Sequence, residues 1–511
     1  MIKDSINEMI KQIVDTCKSW VVEGEDGLLR FVDPIDGEEI SAHYGATHAA
    51  VSFILYGEKI GNDELLDLGY KLLASILKRW KSSMKLPAFH NDFNNFALCV
   101  AWEYLDKDNK KEKYAIKIKE LVLSTPDSNN PTVNWLPMRW YVNLVRYKWT
   151  SDEKFKSACD KCSTDIKSAT YKDGFIDDRL PVGLSFNLQY DIATVAVLQY
   201  LRSKGENIDI SVELGALMNV VAPDGDINYL GRGTNQIFAW GLWVYLLSSA
   251  GKKEQTKIAL DFLQEKLPVM LKNNNIMLND WPGEEKYMWW DYHYCSVYTA
   301  HLLFWLIMAE EQMDKFPLTE TIIEPGDSGV RVYRDDDFFV VTFDGRKEYL
   351  AEKGPCIAAL WTKSCGIVVK GTFGPWQGAF GNKYSPVDVT IRNYCGLYKV
   401  ELNKDFSKNR YLHKTLPNLE SKSHEIITPV FAPFRINVHK DDISIVWKIK
   451  GSDKIILSIP CLKKPADLIV NVDEKKVRVM TTSMIRNQYT WLRLLQSDLI
   501  KGSNWELRFR R

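Results

Sequence analysis

The sequence predicts a two-domain chain of α+β class, with an N-terminal α/α toroid of helical hairpins followed by a C-terminal antiparallel β-sandwich. Through residues 1–312, apolar residues recur at three- and four-residue spacing, which indicates about a dozen helices with hardly a strand among them. Afterwards the pattern changes to short β-rich runs. The 511 residues are too many for one ordinary core. We therefore expect a catalytic toroid in 1–312, a linker in 313–334 and a sandwich in 335–511.

The predicted helices are separated by short polar or glycine-bearing breaks and lie at 4–22, 45–58, 63–82, 91–106, 110–124, 133–149, 151–168, 187–203, 209–220, 235–250, 254–270 and 293–312. A superhelical solenoid would show a fixed period, but the chain has none of the consensus repeat spacings. Four connecting segments are long and rich in aromatic and polar residues, as functional loops are: 83–92, 171–186, 221–234 and 273–293. A closed toroid with a cleft at one end, walled by these loops, explains the pattern better.

The predicted strands of the second domain are bounded by Gly, Pro, Asp and Asn, and include 338–343, 365–370, 443–448, 454–459, 466–471, 476–480 and 505–509. Roughly ten to fourteen strands without a helical pattern between them are typical of an antiparallel sandwich. The linker contains Pro317, Pro325, Gly326 and Gly329, which interrupt regular structure.

Composition excludes several classes of partner. The 66 basic and 66 acidic side chains give a formal net charge of zero, so nucleic acid and acidic membrane surfaces are not expected partners. The 17 Trp and 23 Tyr are many, and such amphipathic rings stack on the apolar faces of sugars, although large helical cores also contain them. We expect an oligosaccharide or polysaccharide to bind. Composition does not indicate the oligomeric state.

The cysteines and the N-terminus predict a cytoplasmic protein. The nine cysteines are scattered and odd in number, which is typical of free thiols in a reducing compartment. Cys159 and Cys162 form a lone CxxC without a second pair to complete a zinc site. The first residues lack the apolar core of a signal peptide, so secretion or a periplasmic location would require a signal that has been removed.

Two polar groups lie in the loops before predicted helices. Ala88–Asn95 opens a helix and brings together His90, Asp92, Asn94 and Asn95, although Asn91 or Asp92 could simply cap that helix. Further along, Asn187 and Asp191 lie at i and i+4 on a helix that begins near Ser185, with Tyr190 beside them. Their side chains would project together at a helix N-terminus, which favours anions. A capped helix with a buried tyrosine is the alternative.

Two further groups precede the last helices of the toroid. Tyr229, Arg232, Asn235 and Gln236 lie within eight residues, with Gly231 and Gly233 beside the arginine, where a ligand could approach the backbone closely. The alternative is a tight loop whose arginine caps a neighbouring helix. Residues 287–298 hold seven aromatic or imidazole side chains. Trp289, Trp290 and Tyr294 would form a sugar platform with Asp291 and His293 as titratable groups, unless the rings only pack against the sandwich.

The domain order resembles that of polysaccharide lyases of the heparinase II/III, alginate lyase and chondroitin/hyaluronate lyase type. The local matches are Asn187 at the start of a toroid helix, and the turn Asp224-Gly225 followed eight residues later by Arg232. The chain departs from the alginate lyase pattern, in which histidine directly follows the asparagine and a tyrosine lies two turns after the arginine. Here Leu188 follows Asn187, and Ala239 and Trp240 occupy the later positions.

The resemblance implies β-elimination from a uronic acid unit, without a metal or other cofactor. Such a site must neutralise the carboxylate, supply a base and protonate the leaving oxygen. Asn187, Gln236 and Arg232 suit the first task. The base and acid would come from His90, His293, Tyr190, Tyr229 or Tyr294, and His413 or His424 of the sandwich could also reach the cleft. The remaining polar and aromatic residues would bind substrate: Asn235, Asn94, Asp92, Trp289, Trp290 and Asp291.

Two other functions stay open. A glycoside hydrolase on the same toroid would use two carboxylates, for which Asp92, Asp178, Asp191 and Asp291 are candidates. A non-catalytic glycan-binding protein of a polysaccharide pathway would use the same loops without chemistry. The polymer, the mode of cleavage and a biosynthetic or degradative role are not indicated by the sequence.

Overall fold

The computed structural model describes the helical half of the chain nearly continuously and the remainder as separate strands. The described residues are 2–34, 37–40, 43–83, 90–105, 112–128, 132–182, 186–230, 236–272, 274, 295–321, 326–336, 338–343, 356–363, 366–370, 387–390, 399–402, 435–438, 442–448, 458–461, 468–472, 475–476, 479–483, 490–494 and 504–510.

Twelve α-helices lie within the described residues, each at the place that the apolar spacing predicts. They are α1 Ile2–Lys18, α2 Gly45–Ile60, α3 Asp63–Ser83, α4 Asn91–Leu105, α5 Glu112–Ser124, α6 Leu136–Thr150, α7 Glu153–Ala169, α8 Leu188–Ser203, α9 Ser211–Asn219, α10 Phe238–Ser249, α11 Lys253–Lys272 and α12 Cys295–Glu311. The prediction of about a dozen helices is confirmed. The short hairpin β1 Val21–Glu23 and β2 Leu29–Phe31 between α1 and α2 was not predicted.

The helices form two concentric rings. The even-numbered helices from α2 to α12 each pack against the next, and α12 packs against α2, which closes the inner ring. The odd-numbered helices pack outside, each against an inner neighbour, with α1 against α12. This is an α/α toroid of six helical pairs.

Burial follows the two rings. Inner helices such as α8, α10 and α12 are buried on nearly all faces, and most of their residues are apolar. The outer helix α1 buries only one stripe, formed by Ile6, Met9, Ile10, Ile13, Val14 and Cys17, as an amphipathic helix does. Glycines permit the closest approaches, because a Cβ on Gly45 would lie 2.8 Å from Val297 Cα, and one on Gly241 would lie 2.9 Å from the Leu302 carbonyl oxygen.

The connectivity of the rings gives the inner helices a common direction. Each inner helix is preceded by an outer helix that returns the chain, so the six inner helices begin at the same end of the barrel. We call this end the mouth. The four loop segments singled out by sequence precede α4, α8, α10 and α12 along the chain. Of these segments, residues 84–89, 183–185, 231–234, 273 and 275–293 lie outside the described residues.

The ring is closed by polar contacts between the first and last helices. The buried carboxylate of Asp33, in the loop before α2, accepts hydrogen bonds from Ser296 N at 3.0 Å and Ser296 Oγ at 3.1 Å. At the other end of α12, Glu310 pairs with Lys59 of α2 and with Lys3 of α1, the latter at 2.9 Å. The loop carboxylate thus caps α12, and Glu310 joins three helices.

The C-terminal half forms antiparallel sheets. Its strands are β3 Val330–Arg334, β4 Phe338–Phe343, β5 Cys356–Thr362, β6 Gly366–Lys370, β7 Val387–Thr390, β8 Lys399–Leu402, β9 Arg435–Val438, β10 Asp442–Lys448, β11 Ser458–Cys461, β12 Leu468–Val472, β13 Lys475–Lys476, β14 Val479–Ser483, β15 Thr490–Leu494 and β16 Asn504–Arg510. One sheet has the order β14-β15-β11-β6-β5-β4-β3, another has β13-β12-β16-β10-β9, and β7 pairs with β8. Their packing as a sandwich stays a prediction.

The start of the larger sheet contacts the loops that lead to the mouth. Ser328 Oγ donates to the buried Asp173 carboxylate at 2.6 Å, and the Phe343 ring stacks on Phe186 with centroids 5.6 Å apart. Arg334 donates to the carbonyl oxygens of Asn219, at 3.3 Å, and Val221. These contacts hold β3 and β4 against the segments that precede α8 and α10. Within the part of the chain that the structure describes, no helix has the length and apolarity that a bilayer crossing requires.

Candidate active site

Aromatic and imidazole rings meet where the inner helices begin. We call this set the mouth layer; its members come from the residue before an inner helix or from the first turn, or directly adjoin them: His43, Tyr44, His90, Phe93, Trp135, Tyr190 and Phe238. The starts of α2, α4, α6, α8 and α10 each contribute at least one ring. The common direction of these helices is therefore what assembles the layer.

A stack of three rings forms one side of the mouth layer. The ring centroids of His43 and His90 are 4.0 Å apart, and His90 stacks on Trp135 with centroids 5.2 Å apart at an interplanar angle of 29°. His43 and His90 expose only 6% and 7% of their surfaces. The two imidazoles are therefore in direct ring contact and largely shielded from solvent.

Tyr44 occupies the middle of the mouth layer. Its ring stacks on Phe93 with centroids 4.3 Å apart, and its edge meets His90 at 5.6 Å. Burial raises the pKa of Tyr44 well above its ordinary value, and the neighbouring Tyr190 raises it further. The Tyr44 hydroxyl therefore keeps its proton at neutral pH, so that it can act as a donor but not as a base.

Tyr190 also lies near Tyr44 and is half-buried. Its ring meets the edge of Phe238 with centroids 6.0 Å apart. Of the tyrosines proposed from the sequence as acid or base, Tyr190 and Tyr229 are described, and only Tyr190 keeps solvent exposure. The structure thus brings both Tyr190 and His90 close to Tyr44.

Tyr229 lies in the protein interior instead. It is fully buried, and its hydroxyl donates to the carbonyl oxygen of Val220, which satisfies the phenol within its own loop. Burial also raises the pKa of Tyr229 well above its ordinary value. These are the contacts of a structural tyrosine, and we do not include Tyr229 in the proposed site.

Asp92 and Asn94 also have structural partners. Asp92 is 1% exposed and forms an ion pair with Arg139, whose Nη2 lies 2.8 Å from the carboxylate. Burial raises the pKa of Asp92, and Arg139 opposes that effect. The Asn94 side chain accepts from Thr47 Oγ1 at 2.6 Å and donates to the His90 carbonyl oxygen at 3.1 Å. Both residues therefore support the start of α4, because their polar atoms are already engaged inside the barrel.

Asn187 and Gln236 lie on the facing loops. Asn187 is the N-cap of α8, since its side-chain oxygen accepts from Gln189 N at 3.1 Å. Gln236 is fully buried, yet neither polar atom of its amide has a hydrogen-bond partner among the residues that the structure describes. An amide without partners at this position could bind a ligand, so Gln236 remains a candidate while Asn187 has a capping role.

Carboxylates form a second titratable group, before α8. Asp178 is buried and accepts hydrogen bonds from Asn134 N at 3.1 Å and Asn134 Nδ2 at 2.6 Å. Burial raises the pKa of Asp178 to about 7, although the bonds from Asn134 oppose the shift. The adjacent Asp177 accepts from the Tyr171 hydroxyl at 2.8 Å. Burial raises the pKa of Asp191 as well.

Half of the predicted site residues cannot be placed. Arg232, Asn235, Trp289, Trp290, Asp291, His293 and Tyr294 lie outside the described residues, as do His413 and His424. Their roles stay predictions.

The sequence reasoning missed several members of the mouth layer. His43 and Tyr44 directly precede Gly45, the first residue of α2, and Trp135 directly precedes α6. A signal was present, because each ring lies at a helix start, as His90 and Tyr190 do. It was overlooked because these residues lie in short segments without a conspicuous polar cluster. The CxxC cysteines are buried free thiols on α7, and burial raises the pKa of each to about 12.

Comparisons with known proteins find similar solved structures for part of the chain. No protein-family model and no curated protein matches the chain. Among solved structures, the chain is similar to the GH76A α-1,6-mannanase of Salegentibacter sp. HEL1_6, at 14% identity and a TM-score of 0.42, over 60% of this chain and 98% of that one. It is similar to a polysaccharide lyase at 14% identity and a TM-score of 0.39, over 60% and 97% of the two chains. An unsaturated glucuronyl hydrolase from Streptococcus agalactiae matches at 13% identity and a TM-score of 0.39, over 61% and 92%.

Proposed function

We propose that the protein is a polysaccharide lyase that cleaves a uronic-acid-containing glycan at the mouth of its helical barrel by β-elimination. One observation carries the proposal: two imidazoles and two tyrosines, His43, His90, Tyr44 and Tyr190, adjoin one another among aromatic rings. Imidazole and phenol are the groups that general acid–base chemistry uses, and aromatic rings are surfaces on which sugars stack.

The His43–His90 pair is suited to supply the base. Its two imidazole rings are in contact, with centroids 4.0 Å apart, and imidazole is the side chain that most often serves as a general base. His90 is the better candidate, since it also contacts Tyr44 and Trp135. A sugar lying on the Trp135 side would bring its acidic C–H towards this ring.

Tyr44 and Tyr190 are suited to supply the acid. The raised pKa of Tyr44 keeps its proton available, and a phenol can donate it to the leaving glycosidic oxygen. Tyr190 is the more exposed of the two and lies beside Tyr44. We therefore assign proton donation to Tyr190, with Tyr44 beside it.

The uronate carboxylate would be neutralised at the helix starts. An α-helix carries roughly half a positive charge at its N-terminus, and six inner helices begin at the mouth. This field favours an anionic sugar even though the whole chain has no net charge. Gln236 would add hydrogen bonds to the substrate, and Arg232 stays the predicted ionic partner of the carboxylate.

The proposal is tested by incubating the purified protein with alginate, pectate, heparan, chondroitin, hyaluronan and bacterial capsular polymers. Elimination creates an unsaturated uronate that absorbs at about 235 nm, so the absorbance at this wavelength should rise with at least one polymer. Release of reducing ends without this absorbance would contradict elimination and indicate hydrolysis. Binding without any cleavage would indicate a glycan-binding protein.

A glycoside hydrolase is the second candidate, because Asp178 is a buried carboxylic acid whose pKa is raised to about 7. An acid that keeps its proton near neutrality is what glycoside hydrolysis requires, together with a second carboxylate. Asp177 is the neighbour that could provide it. In that case Asp178→Asn would abolish release of reducing ends, and His90→Gln would leave it largely intact.

A further inference from the structure

Two more histidines lie beneath the mouth layer. His48 of α2 and His301 of α12 are 1% and 0% exposed, and their ring centroids are 5.3 Å apart. Both rings meet the edge of Tyr44, with centroids 5.1 Å and 5.6 Å from it. His301 also stacks on Phe238 at 4.7 Å and 7°. The pair therefore supports Tyr44 from below, at the contact between α2 and α12.

The hydrogen bonds of the two rings define their tautomers. Trp305 Nε1 lies 3.1 Å from His301 Nε2, and because an indole N–H can only donate, His301 Nε2 must accept and its proton must be on Nδ1. His48 Nδ1 lies 3.0 Å from the Tyr44 carbonyl oxygen, which can only accept. His48 therefore carries its proton on Nδ1 and leaves Nε2 bare.

Both rings are neutral at physiological pH. Burial lowers the pKa of His48 to about 4, although the bond to Tyr44 opposes this shift. Burial, and then the adjacent His48, lower the pKa of His301 well below its ordinary value. Neither ring can therefore serve as a charged group in the proposed reaction.

One nitrogen of the pair reduces stability. His48 Nε2 has no hydrogen-bond partner among the residues that the structure describes, whereas a bond to the Phe238 backbone raises the pKa of His301 against the effect of burial. Because a buried polar atom without a partner is unfavourable, an apolar side chain of similar size at position 48 would stabilise the barrel as well or better. Stability alone therefore does not explain an imidazole at position 48.

We infer that His48 and His301 are positioning residues, which hold Tyr44 in place for the proposed reaction as neutral rings protonated on Nδ1. His48 acts through the Tyr44 backbone: its Nδ1–H and its own backbone N–H both donate to the same carbonyl oxygen, each at 3.0 Å. His301 acts through ring contact and is itself fixed by Trp305 and Phe238. This inference rests on the proposed function, because Tyr44 matters only if the mouth layer performs chemistry.

Two variants of His48 separate positioning from packing. His48→Asn keeps a side-chain N–H near the place of Nδ1, whereas His48→Leu keeps only the apolar volume. Misplacement of a reacting group by about 1 Å can reduce a rate about 100-fold. We expect His48→Leu to lower kcat about 10- to 100-fold with KM changed less than about twofold. His48→Asn should recover most of that loss, and thermal unfolding should show His48→Leu to be as stable as the parent protein.

A measurement without substrate tests the tautomers. Nitrogen-15 NMR of the imidazoles, assigned with His48→Asn and His301→Asn, should show both rings neutral and protonated on Nδ1 from about pH 5.5 to 8. Protonation on Nε2, or a charged ring in that range, would overturn the inference, as would a His48→Leu protein with unchanged kcat. If no glycan is cleaved, the proposed function fails separately. The inference is then judged by the NMR result and by whether the Tyr44 ring signals shift in His48→Leu but not in His48→Asn.

Discussion

Two layers of aromatic rings lie along the barrel, and they differ in chemistry rather than in ring density. Deeper along the inner helices is a second set, which we call the core layer: Phe96, Tyr141, Tyr200, Tyr245, Phe304 and Trp305. Its rings pack as closely as those of the mouth layer, with Phe96 and Trp305 centroids 5.7 Å apart. Its tyrosines are fully buried, and burial raises their pKa values. The mouth layer instead contains imidazoles and the half-buried Tyr190. Aromatic abundance alone therefore does not identify a site, whereas rings combined with titratable groups and access do.

The largest expected effect distinguishes the mouth layer from the core layer, through one residue of each at helix α4. If His90 is the base, His90→Gln should lower kcat on the cleaved polymer about 100-fold or more, which is the usual contribution of a general base. Its melting temperature should change little. The control is Phe96→Leu, two turns deeper in the core layer, which should lower the free energy of unfolding by about 1 kcal/mol and leave kcat unchanged. Equal losses of kcat in both variants would show that the mouth layer and the core layer do not differ in function.

The second prediction concerns the titration of Asp178, in the loop before α8. The folded protein holds the Asp178 proton up to about pH 7, whereas an ordinary carboxyl loses it near 3.8. The free energy of unfolding should therefore fall as pH rises between these values, because the unfolded chain releases the proton first. Asp178→Asn cannot titrate and can keep the acceptor oxygen for Asn134.

Urea unfolding at several pH values measures this difference. Relative to the parent protein, Asp178→Asn should gain stability on the order of 2–4 kcal/mol between about pH 4 and 7. A constant difference between the two proteins would show that Asp178 ionises normally, and would remove the support for a hydrolase acid.

The smallest expected effect is that of removing a tyrosine hydroxyl from α8, compared in two separate variants. Tyr190→Phe, in the mouth layer, should lower kcat about tenfold, because the proposed proton donor is lost and Tyr44 can replace it only in part. Tyr200→Phe, in the core layer, should leave kcat unchanged and reduce the free energy of unfolding by about 1 kcal/mol. Steady-state kinetics and thermal unfolding of both proteins check this. Loss of activity in Tyr200→Phe alone would reverse the assignment of the layers.

The helical fold was predictable because its signal is local. Apolar spacing marks every helix, and the absence of a fixed repeat favours a closed ring over a solenoid. The closure between α12 and α2 could not be derived, because it depends on contacts such as Asp33 with Ser296, which are 263 residues apart. The strands at 338–343 and 443–448 also follow their β-rich runs.

The site was predictable only in part, because side-chain direction decides it. His90 and Tyr190 were singled out as polar residues at helix starts, and the structure places both in the mouth layer. Asp92 carries the same sequence signal and Tyr229 lies in a predicted functional loop, yet Asp92 pairs with Arg139 and Tyr229 bonds to Val220. Sequence spacing cannot distinguish these outcomes, because a side chain at a helix start can point into the mouth or into the packing between helices.

The side chains of Lys3 and Glu310 lie 2.9 Å apart, which brings the first and last helices of the barrel into contact. Because the first and last helices adjoin, a circular permutation can join them by a short loop and open the chain in another loop while the helices keep their packing. The same contact implies that the ring closes late during synthesis. The face of α2 that contacts α12 is uncovered until α12 has been made, so the growing chain carries an open apolar edge until more than 300 residues are complete.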